Sequence, residues 1–294
     1  MIFNKEEKKF MKIAVLTDSG SNLPKEFIDK HKNLFVVPLM IIVDGEEYRD
    51  QSEISALEVY QKLDHSSVST SLPLTSDLVG TLDKIKKEGY TDVFVINISS
   101  GLSGTFNSFR LTLEKEKDLN IIHFDSKTLG AQQGVVVEYA LDLIKQKTPI
   151  KSILPLLKDF RFNDSIAIYT INTLKYLIRG GRIGKVEGTI GDLLHIKPII
   201  TVNDDEGVYI TLSKAFGMKR SLLRMKNILM EMYKEDLIDI VIHYGNNDDK
   251  AEELKEKLKN SGLNIRNIGL QRLTPVLGVH TGPDMIAYVA SRVK

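Results

Sequence analysis

The sequence predicts an α/β protein of two domains, a parallel-sheet N-terminal part followed by a mixed-sheet C-terminal part. Three observations predict it. Apolar strand-like runs alternate with helical segments over short connections in the first half, the pattern of a parallel sheet covered on both faces. After Pro149 the pattern changes to hairpins mixed with helices. The 294 residues, at roughly 150 per domain, leave room for two cores. The division falls near Asn163, giving domains 12–163 and 164–294.

Taken in order, Lys12–Thr17 is a buried-type apolar strand. Asp18, Ser19, Ser21 and Pro24 precede a polar helix ending near Lys32. The apolar run Phe35–Val43 meets Asp44-Gly45, a hairpin signal. A helix covers Ala56–Leu63, a loop restrained by Pro73 covers His65–Ser76, and Ser76–Glu88 is a helix ended by Gly89. Strand Val93–Ile98, the polar stretch Ser99–Thr105 and a helix to about Asp118 come next. Strand Ile121–Phe124, Asp125-Ser126 and a helix over Gly130–Lys145 complete the first half.

The second half opens with helix Lys151–Phe160 and strand Ser165–Tyr169. Helix Asn172–Arg179, Gly180-Gly181 and a second helix near Val186–His195 follow. Pro198–Val202 and Val208–Leu212 read as a hairpin around Asp205-Glu206-Gly207. Lys219–Tyr233 is an amphipathic helix, with Leu222, Met225, Leu229 and Met232 at helical spacing. Strand Ile238–Tyr244, helix Lys250–Ser261, strand Asn264–Leu270 and a terminal helix over Pro283–Val293 end the chain.

Composition narrows the function. Forty Lys+Arg against 39 Asp+Glu leave a net charge of +1, which argues against a dedicated nucleic-acid binder. The basic run Lys214–Arg224 reads as the solvated face of a helix. With no cysteines, disulfides, thiolate metal sites and cysteine nucleophiles are excluded. The six histidines show no metal-ligand spacing. The charged start Met1–Lys9 lacks the apolar core of a signal peptide, and no apolar stretch is long enough to span a membrane. A cytoplasmic protein is expected.

Three polar loops follow apolar strands in the first half: Asp18 to Ser21, Ser99 to Thr105, and Asp125-Ser126. In an open parallel sheet such loops converge on one crevice, although each also precedes a helix that its Asp or Ser could cap. In Ser99–Thr105 the two glycines let backbone N–H groups approach a ligand, which suits a carboxylate or phosphate. Gly101-Leu102-Ser103-Gly104-Thr105 misses the nucleophile-elbow spacing by one place. A triad of Ser103, Asp125 and His280, acting on a lipid ester, is the alternative reading. Arg179-Gly180-Gly181-Arg182 suits either a helix C-cap or contact with an anion or an acidic partner. His280 stands in the glycine-flanked stretch Gly278–Pro283, read as a turn before a helix.

The ordered motifs resemble the DegV family, the fatty-acid-binding family that includes the carrier subunit of bacterial fatty acid kinase. They are Thr17-Asp18-Ser19, Thr70-Ser71-Leu72-Pro73, Ile98 to Thr105, Asp125-Ser126, Tyr176 to Gly184, Ile196-Lys197-Pro198-Ile199 and Gly278 to Pro283. The resemblance runs from Lys12 to Val293. It implies two α/β domains with a long-chain fatty acid, such as palmitate, buried between them. It further implies a carboxylate held by Thr70 and Ser103 with His280 beside it. No catalytic residue, metal or cofactor is implied; the partner is a separate ATP-dependent kinase that phosphorylates the presented carboxylate. Arg179 and Arg182 correspond to positions that dock it. No nucleic acid and at most transient membrane contact are expected. Leu72, Leu74, Phe216, Met218 and Asp284 depart from the family pattern.

The chemistry fits an amphiphile carrier. Burying about fourteen CH₂ groups of a sixteen-carbon tail at ~0.8 kcal/mol each yields roughly 11 kcal/mol before ordering costs. The tail then dominates affinity, and hydroxyl donors need only orient the head.

Overall fold

The computed structural model describes residues 12–189 and 196–294. Strand β1 (Ile13–Asp18) runs into a 3₁₀ turn, helix α1 (Lys25–Lys30) and β2 (Leu34–Val37). Then come β3 (Met40–Val43), β4 (Glu46–Arg49), α2 (Ala56–Lys62) and β5 (Val68–Ser71). Helix α3 (Thr75–Lys87), β6 (Asp92–Asn97), α4 (Thr105–Leu113), β7 (Asn120–Asp125), α5 (Ala131–Lys145) and α6 (Ile150–Asp159) follow. Next are β8 (Ser165–Thr170), α7 (Lys175–Arg179), β9 (Ile196–Val202), β10 (Tyr209–Phe216) and α8 (Gly217–Tyr233). The chain ends with β11 (Ile238–Tyr244), α9 (Asp248–Lys259), β12 (Ile265–Arg272), α10 (Pro275–Thr281) and β13 (Ile286–Arg292).

The α/β fold has its parallel sheet first and its mixed sheet second. Strands β2-β1-β6-β7 form an all-parallel sheet. Its strands are apolar on both sides because helices cover both: α3 and α4 bury Leu78, Leu82, Ile85 and Phe109 on one face, and α5 and α6 bury Val136, Val137, Ile153 and Leu157 on the other. The C-terminal sheet, ordered β10-β9-β8-β13-β11-β12, is antiparallel except for the β11–β12 pair. Helices α8 and α9 cover one of its faces. The other face, with Tyr169, Ile200, Tyr209, Ala287 and Val289, joins a core shared with Ile98, Leu102 and Leu129 of the first half.

Several expectations are corrected. The run Phe35–Val43 is two strands in two sheets, broken at Pro38, whose missing N–H cannot continue a ladder. Asp44 and Gly45 both take positive φ, 51° and 91°, and close the predicted hairpin between β3 and β4. The loop His65–Ser76 contains β5, which pairs antiparallel with β3. The terminal helix predicted over Pro283–Val293 is instead strand β13, buried on both faces between β8 and β11. The helix lies before it, so His280 occupies the last turn of α10 rather than a turn ahead of a helix. Of the helix predicted over Val186–His195, residues 184–189 form a 3₁₀ segment and 190–195 lie outside the described residues.

Polar contacts hold the two halves together. Ser99 Oγ donates to the Gly207 carbonyl at 2.7 Å. The buried Arg161 donates to the carbonyls of Ser126 and Lys127 and pairs with Asp204. Val276 N–H, at the start of α10, donates to Asp50 Oδ1 at 3.0 Å. Among the described residues, no helix is long and apolar enough to cross a membrane.

Candidate functional site

A cavity of about 230 Å³ opens between the two halves. Leu39, Leu72, Ile98, Leu102 and Leu129 of the first half and Tyr209, Val276 and Leu277 of the second form its apolar wall. Thr70, Ser71, Ser103, Arg182 and His280 supply the polar groups. Strand β5 brings Thr70, the loop before α4 brings Ser103, and α10 brings His280. Arg182 follows α7.

Thr70 Oγ1 and His280 Nε2 are hydrogen-bonded at 2.8 Å. Ser103 Oγ bonds to Thr105 Oγ1 at 2.8 Å and accepts from Thr105 N–H at 3.2 Å, so it also ties down the first turn of α4. The Arg182 guanidinium is anchored on two carbonyls, Gly180 at 2.6 Å and Leu102 at 3.3 Å. Burial, with Arg182 and Arg179 nearby, pushes the His280 imidazole down to about 4. His280 is therefore neutral at pH 7. Its Nδ1 is buried without a partner among the described residues and faces Gly180, where a Cβ would come within 2.2 Å of it. A glycine is required at 180 by that close approach.

Thr70, Ser103 and His280, expected together, line one cavity. Arg182, which the resemblance makes a kinase-docking position, lies on the cavity wall. Arg179 is exposed; it donates to the Leu63 carbonyl at 2.6 Å and stacks on Tyr176.

Of the three polar loops, the one before α4 reaches the cavity. Asp18 instead caps the turn that follows it, accepting from Gly20 N–H, Ile98 N–H and Asn97 Nδ2. Burial raises its carboxyl against the pull of those bonds. Asp125 is engaged by Ser100 and Lys127. The Ser103–Asp125–His280 triad is therefore not assembled: His280 bonds Thr70, Ser103 bonds Thr105, and no hydrogen bond links the three. With no base hydrogen-bonded to it, Ser103 lacks the activation that a serine nucleophile needs.

Sequence reasoning missed Tyr209 as a cavity residue, whereas Ser71, singled out with Thr70 in the same stretch, lines the cavity. Ser71 sits beside Thr70 in a segment read as loop. Tyr209 is buried edge-on against Tyr169, with ring centroids 5.9 Å apart, and carries no sequence signal apart from following the Asp205-Glu206-Gly207 turn. No group of side chains able to hold a metal ion occurs among the described residues.

Comparison with known proteins agrees with this arrangement. A family model described as an uncharacterised protein of the DegV family matches residues 12–293. A DegV domain-containing protein of Clostridium acetobutylicum is 40% identical over 279 residues, covering 95% of this chain and 98% of its own. A DegV family protein from Thermus thermophilus, whose structure is described as fatty acid binding, has a TM-score of 0.89 at 27% identity, over 96% of this chain and 100% of that one. The fatty acid binding DegV family protein of Streptococcus agalactiae gives 0.87 at 29% identity, over 97% and 100%. Sharing their sequence over nearly its whole length and their two-part fold, the chain belongs to the DegV family.

Proposed function

We propose that this protein binds a long-chain fatty acid between its two halves and presents the carboxylate to a separate ATP-dependent kinase, without chemistry of its own. The observation that carries the reading is one cavity in which a hydroxyl–imidazole–guanidinium cluster meets an aliphatic wall. The described functions of the Thermus thermophilus and Streptococcus agalactiae proteins support the ligand class. The motif resemblance supports the kinase, and the exposed Arg179 is a docking contact. The same proposal divides the domains at residue 163 and places the carrier in the cytoplasm.

The geometry suggests how the head is held. A buried N–H without an acceptor costs more than a bare acceptor, so the neutral His280 carries its proton on Nε2 and leaves Nδ1 unprotonated. Nε2–H then donates to Thr70 Oγ1, and the Thr70 hydroxyl proton is free to point at a carboxylate. Ser103 O–H donates from the other side, and Arg182 supplies positive charge. Hydrogen bonds to a charged acceptor contribute about 1.5–3 kcal/mol each.

Mass spectrometry of an organic extract from purified protein tests this. A stoichiometric long-chain fatty acid, reduced in a Thr70→Ala/Ser103→Ala double variant, is expected. No co-purified lipid together with no binding of added palmitate overturns it.

A further inference from the structure

We propose that the groove between α8 and α9 is a second ligand site, which takes a single-chain amphiphile with an anionic head. The groove encloses about 620 Å³, within the roughly 300–1,000 Å³ usual for small-molecule sites. It lies on the opposite face of the six-stranded sheet from the interdomain cavity. Leu222, Leu254, Leu258 and Tyr288 belong to the outer core, whereas the cavity wall belongs to the inner one.

Three features make this a site for an amphiphile. Its floor is aliphatic and aromatic, and Leu223 on its rim is 54% exposed apolar surface. Its charged lining is all cationic: Lys219, Arg220 and Lys226 on α8, Lys250 and Lys257 on α9. Lys250 and Lys257 are held by Glu253, whereas Lys219, Arg220 and Lys226 have no hydrogen bond or ion pair among the described residues. At the floor lies Tyr288, itself 2% exposed. An acyl tail would cover the leucines and the lysine stems. Its anionic head would pair with the unneutralised α8 cations. A neutral head satisfies none of them, and a flat bilayer surface does not fill a concave groove.

The test counts bound laurate on lipid-stripped full-length protein by native mass spectrometry and titration calorimetry, below the micelle concentration. Wild type is expected to take two laurates. Lys219→Glu/Lys226→Glu should take one, its groove site weakened at least roughly tenfold, with the other affinity unchanged. Leu223→Ser should weaken the same site, and dodecyl maltoside should not fill it. Thr70→Ala/Ser103→Ala should weaken only the cavity site, so failure of either site is read separately. A single laurate on wild type that the α8 variant leaves unchanged overturns the groove proposal and leaves the cavity reading standing. Vesicles of phosphatidylglycerol that sediment wild type but not the α8 variant, with no second laurate, also overturn it and assign the face to a membrane surface.

Discussion

Thr70 on β5 and His280 at the end of α10 are 210 residues apart in the chain, and their side chains meet at 2.8 Å. The contact joins the small antiparallel sheet to a helix from the other half of the protein. It sets the orientation of the hydroxyl proposed to hold the carboxylate. Thr70→Val keeps the shape and removes the donor. Fatty-acid affinity is expected to fall by about 1.5–3 kcal/mol, read by displacement of a fluorescent fatty acid. An unchanged affinity would exclude Thr70 from the head-group site.

Gly180→Ala tests the same cluster from behind. Gly180 has an ordinary φ of −79°, so alanine adds no backbone strain. Its Cβ would stand 2.2 Å from Nδ1 and 2.8 Å from Cε1 of His280. The ring must move off Thr70, or the turn must shift. Stability is expected to drop by about 1–3 kcal/mol, and fatty-acid binding should weaken as in Thr70→Val. Full binding at full stability would show that the ring has room the geometry denies it.

Asp50 is 2% exposed, and burial raises its carboxyl to about 7. In the unfolded chain its pKa is ~3.9. Between those values the folded state holds a proton that the unfolded state has lost, so this group's contribution declines as pH rises through the window. Asp50→Asn keeps an Oδ1 acceptor for Val276 N–H and removes the charge. It is expected to be more stable than wild type at pH 8 by up to about 4 kcal/mol and equal to it near pH 4. Urea unfolding at both pH values decides; a less stable variant at pH 8 contradicts the argument.

Histidines act in the opposite direction. Burial lowers His123 and His280 to about 4 and His243 to about 3, against ~6.5 when unfolded. The unfolded state takes up protons first on acidification, so stability is complete above pH 6.5 and is lost as pH falls toward those values. Among the described residues, His243 Nε2 has no partner to lose. In His243→Leu the stability difference between pH 7 and pH 5 should shrink by about 2 kcal/mol relative to wild type. An unaltered difference would mean that His243 does not titrate differently on folding.

Much of the architecture was legible because short-range signals agree with it. The Asp44-Gly45 turn, the strand over Ile238–Tyr244 and the amphipathic α8 follow from turn chemistry and periodicity, except that Met232 of the expected apolar stripe is exposed and Tyr233 is buried instead. Two misreadings have one physical source: burial of strands depends on sheet partners. Strand β13 is central and covered on both faces, so Ile286–Ala290 is continuously apolar and lacks the alternation that marks a half-exposed strand. Strand β5 lies at the edge of a small sheet and is almost entirely polar, so Val68–Ser71 looks like loop.

The site divides along the same line. Ordered motifs along the chain determined the family, the two α/β parts and the candidates Thr70, Ser103 and His280, because a motif is a local fact. Tertiary structure decided which polar groups share a space. It sent Asp18 to a turn cap and Asp125 to Ser100 and Lys127, and it placed Arg182 and Tyr209 on the cavity wall. Those assignments turn on contacts between residues far apart in sequence, and such contacts exist only after the sheets and helices have packed.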